Sequence, residues 1–308
     1  MGLPKLDYGR IDCSESECER LRCFLVRNLP LHRAQVIESF RLRVGCSCFK
    51  PENIQMWVLT AVSHCLRELK IVYESDSAEL DILPSNLFTC KSLVILKLAG
   101  DIILDVPRMV SLPSLKTLKL QKIVCCNGEI DGFVIETPSL KYFKLRDDSW
   151  HDHYSLIGNM PFLTEAYVDV DFPHISSVIR SITSVKRLAI CSQDMLDEGF
   201  VFNQLEHLEV CLCTVLFSNQ LVRLLNASSK LKRLDMSLTD GHVPRGMDDW
   251  NRPREPQERD IVVYILKHAL LLKTATITLT ESDFTKLDMI KELARSSRAS
   301  TTCQLMFD

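Results

Sequence analysis

The segment Leu-Lys-Thr-Leu-Lys-Leu at residues 115–120 decides the fold of this chain, because its pattern returns along most of the sequence. Apolar residues stand at its first, fourth and sixth positions. The same spacing occurs nine times, and the copies begin at Ile37, Leu66, Leu93, Leu115, Leu140, Leu163, Val185, Leu205 and Leu231. Successive copies start 20 to 29 residues apart, with polar residues between the apolar ones, which argues against a chance alignment of leucines.

This period and the signature Leu-x-x-Leu-x-Leu are typical of leucine-rich repeats. Each unit supplies a short strand and a return segment, and units must stack because none can bury its apolar side alone. Apolar residues at helical spacing predict helices in the return segments 51–65, 172–182 and 219–225. The sequence therefore predicts an α/β solenoid arc, with parallel strands on the concave face and helices and turns on the convex face.

The repeat pattern ends after Met236. Residues 239–257 are rich in Pro, Gly, Asp and Arg and predict a loop or linker. Beyond the linker, helical spacing begins at Ile261, and Thr280 with Asp283 resembles the capping box of a second helix. Residues 272–279 and 303–307 predict two strands, the second of which closes the sheet.

The composition restricts the class of function. An apolar content of 46% with 25% charged residues is typical of a protein with a sizeable core. The formal net charge of −3 argues against a dedicated nucleic-acid binder. The sequence contains no apolar run near the ~18 residues of a membrane span, and its first thirty residues lack the apolar core of a signal peptide. We expect an intracellular protein of the cytoplasm or nucleus that binds neither nucleic acid nor membranes.

The thirteen cysteines include no Cys-x-x-Cys pair. Four of them lie in or beside apolar runs, where a thiol packs as a small hydrophobic group: Cys65, Cys191, Cys211 and Cys303. A zinc site stays open at Cys13, Cys18, Cys23, Cys46 and Cys48, although their spacing matches no known ligand frame. We interpret the cysteines as reduced thiols.

The search for catalytic groups leads only to His151-Asp152-His153 beside Asp147, Asp148 and Trp150. These residues follow a repeat strand, so we interpret them as an exposed polar loop rather than as a metal or acid–base site. The sequence has no Gly-rich phosphate loop and no recognisable nucleophile–base pair. We therefore expect no enzyme activity, catalytic residue, metal or cofactor; an enzyme whose site the sequence does not reveal is the alternative.

The fifth position of the repeat offers a candidate binding surface. Since the first, fourth and sixth residues point into the core, the fifth lies on the opposite, concave face. This position is basic in the first five copies and forms what we call the basic row, Arg41, Lys70, Lys97, Lys119 and Lys144. It then changes to Tyr167, Ala189, Glu209 and Asp235.

Adjacent strands lie ~4.8 Å apart, so the five cations are close enough to repel one another unless they are screened or partnered. We expect the basic row to receive an acidic or phosphorylated ligand. The alternative is that its side chains only solvate an exposed face and splay apart.

Several segments resemble the plant FBD-associated F-box/leucine-rich-repeat family. Residues 258–269 (ERDIVVYILKHA), 272–277 (LKTATI) and 300–308 (STTCQLMFD) resemble its FBD domain. Residues 31–40 (LHRAQVIESF), the helix around Trp57 and residues 65–71 (CLRELKI) resemble its first repeats. The resemblance covers nearly the whole chain and implies a repeat solenoid with a C-terminal FBD α/β cap.

The resemblance also implies a role in ubiquitination, in which an N-terminal F-box docks on the Skp1 adaptor of a cullin–RING ligase and the repeats select the substrate. The residues ahead of the first repeat are too few for an F-box and resemble the stretch that follows it. We therefore recognise no F-box, which weakens the expectation of a Skp1-type partner. The FBD region is also shortened at its start, since five residues separate Pro253 from Arg259.

The sequence thus predicts a lead-in at 1–35, repeats at 36–238, a linker at 239–257 and an FBD domain at 258–308. We expect a non-enzymatic interaction module that resembles the substrate-recognition part of an SCF-type F-box protein and binds an unidentified protein substrate. The alternative is a stand-alone or degenerate repeat/FBD interaction protein that is uncoupled from ubiquitination.

Overall fold

The structure is a computed structural model. It describes residues 4–9, 14–45, 49–74, 80–105, 107, 109–125, 134–147, 160–170, 176–192, 199–211, 223–238, 272–279 and 303–307. The chain forms two compact units, of which the first comprises residues 1–163 and 177–182 and the second residues 164–176 and 183–308.

The first unit is built on parallel strands that neighbour one another in chain order. Its main strands are β1 (Lys5–Tyr8), β2 (Ser39–Val44), β3 (Glu68–Tyr73), β5 (Ile95–Leu104), β7 (Thr117–Cys125) and β9 (Tyr142–Asp147). The short β4 (Leu80–Asp81) pairs with β5, while β6 (Met109–Ser111) pairs with β8 (Val134–Glu136). The helices are α1 (Glu15–Asn28) and α2 (Pro51–Ser63), with 3-10 turns at Leu29–Leu31 and Ser85–Thr89.

The second unit repeats this arrangement. Its sheet follows the chain through β10 (Glu165–Val170), β11 (Arg187–Ser192), β12 (His207–Cys211), β13 (Arg233–Leu238), β14 (Thr274–Leu279) and β15 (Gln304–Phe307). Each of these strands pairs in parallel with the next one along the chain. The helix α3 (Ser176–Ser181) lies between β10 and β11 in the chain, but its residues from Ser177 onward belong to the first unit. The predicted leucine-rich-repeat solenoid is confirmed in both units, with few helices among the described residues.

The apolar repeat positions form the core. In all nine copies the first, fourth and sixth residues are buried, and none is more than 7% exposed. The helix predicted at 51–65 is α2, which buries Ile54, Trp57, Val58 and Ala61. It ends at Ser63 because Cys65 has a φ of +48°, outside the helical region.

The remaining helix and strand predictions are met where the structure describes them. α3 lies within the predicted 172–182 helix, and residues 223–226 are helical at the end of the predicted 219–225 segment. β14 and β15 are the strands expected at 272–279 and 303–307, and β15 is the last strand of its sheet. The linker at 239–257 and the helices expected from Ile261 and Asp283 lie outside the described residues.

The lead-in contains regular structure that the repeat pattern does not reveal. β1 pairs in parallel with β2, from Lys5 opposite Ser39 to Tyr8 opposite Leu42. α1 follows and begins at a capping box, in which the carboxylate of Glu17 accepts a hydrogen bond of 2.9 Å from the backbone N–H of Ser14. The described residues of the lead-in thus add a strand and a helix to the first unit.

Candidate protein-interaction surface

The strand register of the first unit aligns the basic row. Arg41 lies opposite Lys70, Lys70 opposite Lys97, Lys97 opposite Lys119, and Lys119 opposite Lys144. The four lysines are half-buried and Arg41 is exposed, whereas the residues on either side of each of them in the strand are buried. The five cations therefore project from the same side of five neighbouring strands, which we call the outward face.

A carboxylate that the repeat pattern does not single out lies within the basic row. The Glu68 carboxylate on β3 lies 3.3 Å from the guanidinium of Arg41 and 3.2 Å from the ammonium of Lys97. Its side chain is only 15% exposed. Burial alone would raise the pKa of Glu68, but the hydrogen bond and charge of Lys97, together with Arg41, outweigh it and lower that pKa. Glu68 therefore stays ionised and offsets part of the positive charge at this end of the row.

The other end of the row has a positive electrostatic field. The pKa of Lys119 is lowered, first by burial and then by the charges of Lys97, Lys144 and Lys70. The Lys119 ammonium lies 4.9 Å from the centroid of the Tyr142 ring, a cation–π contact that holds it in place. The positive charges of three neighbouring lysines thus act on Lys119.

Three strands make this end of the surface into a regular grid. β5, β7 and β9 each contribute three outward residues in matched register. We call these nine residues the β5–β9 platform: Ile95, Lys97 and Ala99, then Thr117, Lys119 and Gln121, then Tyr142, Lys144 and Arg146. Four of the nine are cations and none is a carboxylate. The platform can offer charged and neutral hydrogen-bond donors to an anion.

In the second unit the same repeat position carries acids, and these acids have partners on their own sheet. His207 Nε2 lies 2.7 Å from Asp235 Oδ2, and Arg233 donates to the same carboxylate at 2.9 Å. Arg187 lies 3.6 Å from Glu209. Burial would raise the pKa of Asp235, but the Thr276 hydroxyl, His207 and Arg233 lower it. These carboxylates are therefore neutralised internally.

Most residues of the other candidate sites lie outside the described part of the chain. His151-Asp152-His153 lies outside the described residues, as do Cys13, Cys46 and Cys48. Cys18 is buried in α1 and Cys23 is half-buried there. Within the described part of the chain, no group of three or more His, Cys, Asp or Glu side chains is placed to hold a metal ion.

Three of the four cysteines expected to pack as small hydrophobic groups do so. Cys191, Cys211 and Cys303 are buried. The prediction is wrong for Cys65, which is exposed because it occupies the turn after α2 in a left-handed conformation. No helix among the described residues is long and apolar enough to cross a membrane.

Comparison with known proteins links this architecture to one group of proteins. Residues 54–163 match the family model for the leucine-rich repeats of FBD-associated F-box protein At5g56370. The chain is 46% identical to FBD-associated F-box protein At4g10400 of Arabidopsis thaliana, over all of the chain and 90% of that protein. It is 38% identical to FBD-associated F-box protein At5g38590 of the same organism, over 96% of the chain and 89% of that protein. It is 32% identical to F-box/FBD/LRR-repeat protein At5g56420, also of Arabidopsis thaliana, over 99% of the chain and 90% of that protein. No solved structure gives a significant match.

Proposed function

Because the chain belongs to the plant FBD-associated F-box/leucine-rich-repeat family, we propose that it is a substrate-recognition module of an SCF-type ubiquitin ligase. In this role the repeats bind a substrate protein and contribute no chemistry. The names of its relatives support the ligase context, since they are F-box proteins. The repeat architecture supports binding, because a stack of parallel strands presents one continuous face of outward side chains. We propose an intracellular location and neither nucleic-acid nor membrane binding.

The observation that carries the proposal is the alignment of the basic row in register across five strands. Like charges on adjacent strands destabilise a sheet when they have no partner. A surface that keeps Lys97, Lys119 and Lys144 side by side is suited to a negatively charged ligand. We propose that an acidic or phosphorylated segment of the substrate protein binds along this row.

Charge reversal tests this surface. The triple variant Lys97→Glu, Lys119→Glu and Lys144→Glu is expected to lose its protein partner, since it repels the ligand that the wild-type row attracts. A matched control reverses three exposed lysines outside the row, at Lys91, Lys116 and Lys230. Both variants and the wild type are compared by affinity purification with quantitative mass spectrometry.

We expect the partner recovered with the wild type to be retained by the control variant and depleted at least about tenfold by the row variant. Thermal unfolding checks that both variants remain folded. Equal recovery with a folded row variant would remove the basic row from the binding surface.

A second candidate function is a repeat/FBD interaction protein that is uncoupled from ubiquitination. Its supporting observation is that residues 4–9 and 14–31 form β1, α1 and a 3-10 turn of the first unit, so these residues do not supply the Skp1-docking helices of an F-box. Co-expression with Skp1 distinguishes the two functions. Co-purification of Skp1 supports the ligase module, whereas a soluble, folded chain that leaves Skp1 unbound supports the uncoupled protein.

A further inference from the structure

We propose that a groove on the first unit binds an arginine side chain of a partner protein. The groove lies between α2 and the 3-10 turn at Ser85–Thr89 and has a volume of about 380 Å³. It is lined by Leu59 of α2, by residues 83–86 ahead of and within the turn, and by Asp105, which follows β5. We call it the α2 groove. None of its residues belongs to the basic row, so the inference adds a second surface, of opposite charge preference, to the proposed function.

The apolar wall of the α2 groove follows from the way α2 packs. The buried face of the helix includes Trp57 and Val58. Leu59 is one residue further round the helix, so it leaves the core and is 46% exposed. Across the groove, Pro84 precedes the 3-10 turn with an extended backbone, and Leu83 beside it is buried. Leu59, Leu83 and Pro84 therefore give the groove an apolar surface that solvent reaches at Leu59.

The polar part of the α2 groove consists of hydrogen-bond acceptors. Asp105 is exposed and is paired with no cation of the described residues. The side-chain oxygen of Asn86 is buried and accepts no hydrogen bond from the described part of the chain. An acceptor in that state costs free energy until a donor reaches it. The hydroxyl of Ser85 lies between these groups and Pro84 in the lining. The groove therefore suits a cation that carries several donors.

An arginine side chain combines the two features that the α2 groove requires. Its three methylene groups can lie along apolar surface while its charged end stays near water. Its planar guanidinium can form two parallel hydrogen bonds with the carboxylate of Asp105. The remaining N–H groups are available to Asn86 and Ser85. A lysine ammonium is a compact, strongly hydrated charge and cannot make the paired bonds, so we expect the groove to prefer arginine.

The exposure of the α2 groove assigns the arginine to a protein. Leu59 and Asp105 are both exposed, so the groove is open along one side. A side chain that projects from a protein surface can enter such a groove while its backbone stays outside. Asp105 supplies the only charged side chain of the lining, and one carboxylate is too few ligands for a metal ion.

Three immobilised peptide libraries test the inference with the purified full chain. They share degenerate flanking positions and differ only in a fixed central arginine, lysine or citrulline. Citrulline has nearly the shape of arginine but no charge, so it isolates the contribution of the ion pair. We expect the arginine library to bind about fivefold more tightly than the citrulline library, with the lysine library between them.

Two variants and a matched control assign the contacts. Asp105→Asn should weaken arginine binding about fivefold, to the level of citrulline, since it removes the charge and keeps the shape. Leu59→Ser should weaken arginine and citrulline binding alike, by about threefold, because both side chains share the apolar stem. The control Glu136→Gln removes an exposed carboxylate of the same unit outside the groove and should leave binding unchanged. Melting temperatures establish that each variant is folded.

The contrary outcomes are specific to the groove. Equal binding of the arginine and citrulline libraries by the wild type overturns the inference. A folded Asp105→Asn variant that still prefers arginine also overturns it, because the cation would then bind elsewhere. Binding of free ethylguanidinium as tight as that of the arginine peptides assigns the groove to a small cation instead. The libraries measure the α2 groove alone, so these results leave the proposed role of the basic row to its own test.

Discussion

Gly100 provides a quantitative test of how closely the strands of the first unit approach one another. Its φ is +100°, and a Cβ at this position would overlap the backbone carbonyl oxygen of Tyr73 on the neighbouring strand. Gly199 has a similar φ of +97°, but a Cβ there would have no atom of the described residues within 4 Å. The pair therefore separates the cost of backbone conformation from the cost of the steric clash.

The expected magnitudes follow from these two contributions. An L-residue in the left-handed region costs about 1–2 kcal/mol, so Gly199→Ala should lower the free energy of unfolding by that amount. Gly100→Ala carries the same conformational cost and must also displace a backbone atom, which adds about 1–3 kcal/mol as overpacking does in a core. We expect a total of about 2–5 kcal/mol for Gly100→Ala.

Urea denaturation followed by circular dichroism measures both variants against the wild type. Hydrogen exchange of the β3 and β5 amides then locates the loss at Gly100. Equal destabilisation by the two substitutions, or a smaller loss at Gly100 than at Gly199, would refute the close approach of Gly100 to Tyr73.

Two other substitutions test the core and the charge network. Trp57→Ala should lower the free energy of unfolding by about 3–5 kcal/mol, measured by urea denaturation, because Trp57 is fully buried in α2. Trp57→Phe should lower it less. The phenylalanine keeps an aromatic ring, and the change removes an indole N–H that has no partner among the described residues. The lowered pKa of Glu68 means that its ion pairs stabilise the fold above the ordinary glutamate pKa of about 4.3 and that this stability is lost as pH falls through the lowered folded-state pKa. The gap in unfolding free energy between wild type and Glu68→Gln should therefore shrink from pH 6 toward pH 3, and a gap that does not vary with pH would contradict the pairing.

The repeats could be predicted from the sequence because the buried positions can be recognised within each single repeat. Three apolar residues at fixed spacing define both the strand and the side it buries, and this pattern occurs nine times. β1 does not carry the repeat pattern. Its four residues alternate only as Lys5-Leu6-Asp7-Tyr8, and the strand is placed by distant contacts, including those of the Tyr8 ring with Phe24 and Phe40 at 6.0 and 6.1 Å.

The alignment of the basic row could likewise be predicted, because parallel strands in equal register bring the same repeat position together. Glu68 could not be found in this way. It occupies the third position of its repeat and reaches diagonally to Arg41 on β2 and Lys97 on β5. Such pairings depend on the register and on side-chain conformation across three strands, and a pattern within one repeat does not contain them.

The contrast between the two units shows why charge alone does not define a binding surface. In the second unit, Glu209 and Asp235 occupy the same repeat position as the lysines and pair with Arg187, Arg233 and His207 on the same sheet. In the first unit, Glu68 is such a counter-ion at the Arg41–Lys97 end of the row. The like charges that lower the pKa of Lys119 persist at the other end. Like charges on neighbouring strands repel one another, so an acidic or phosphorylated segment bound along the row, as we propose, would offset the repulsion that acts on Lys119.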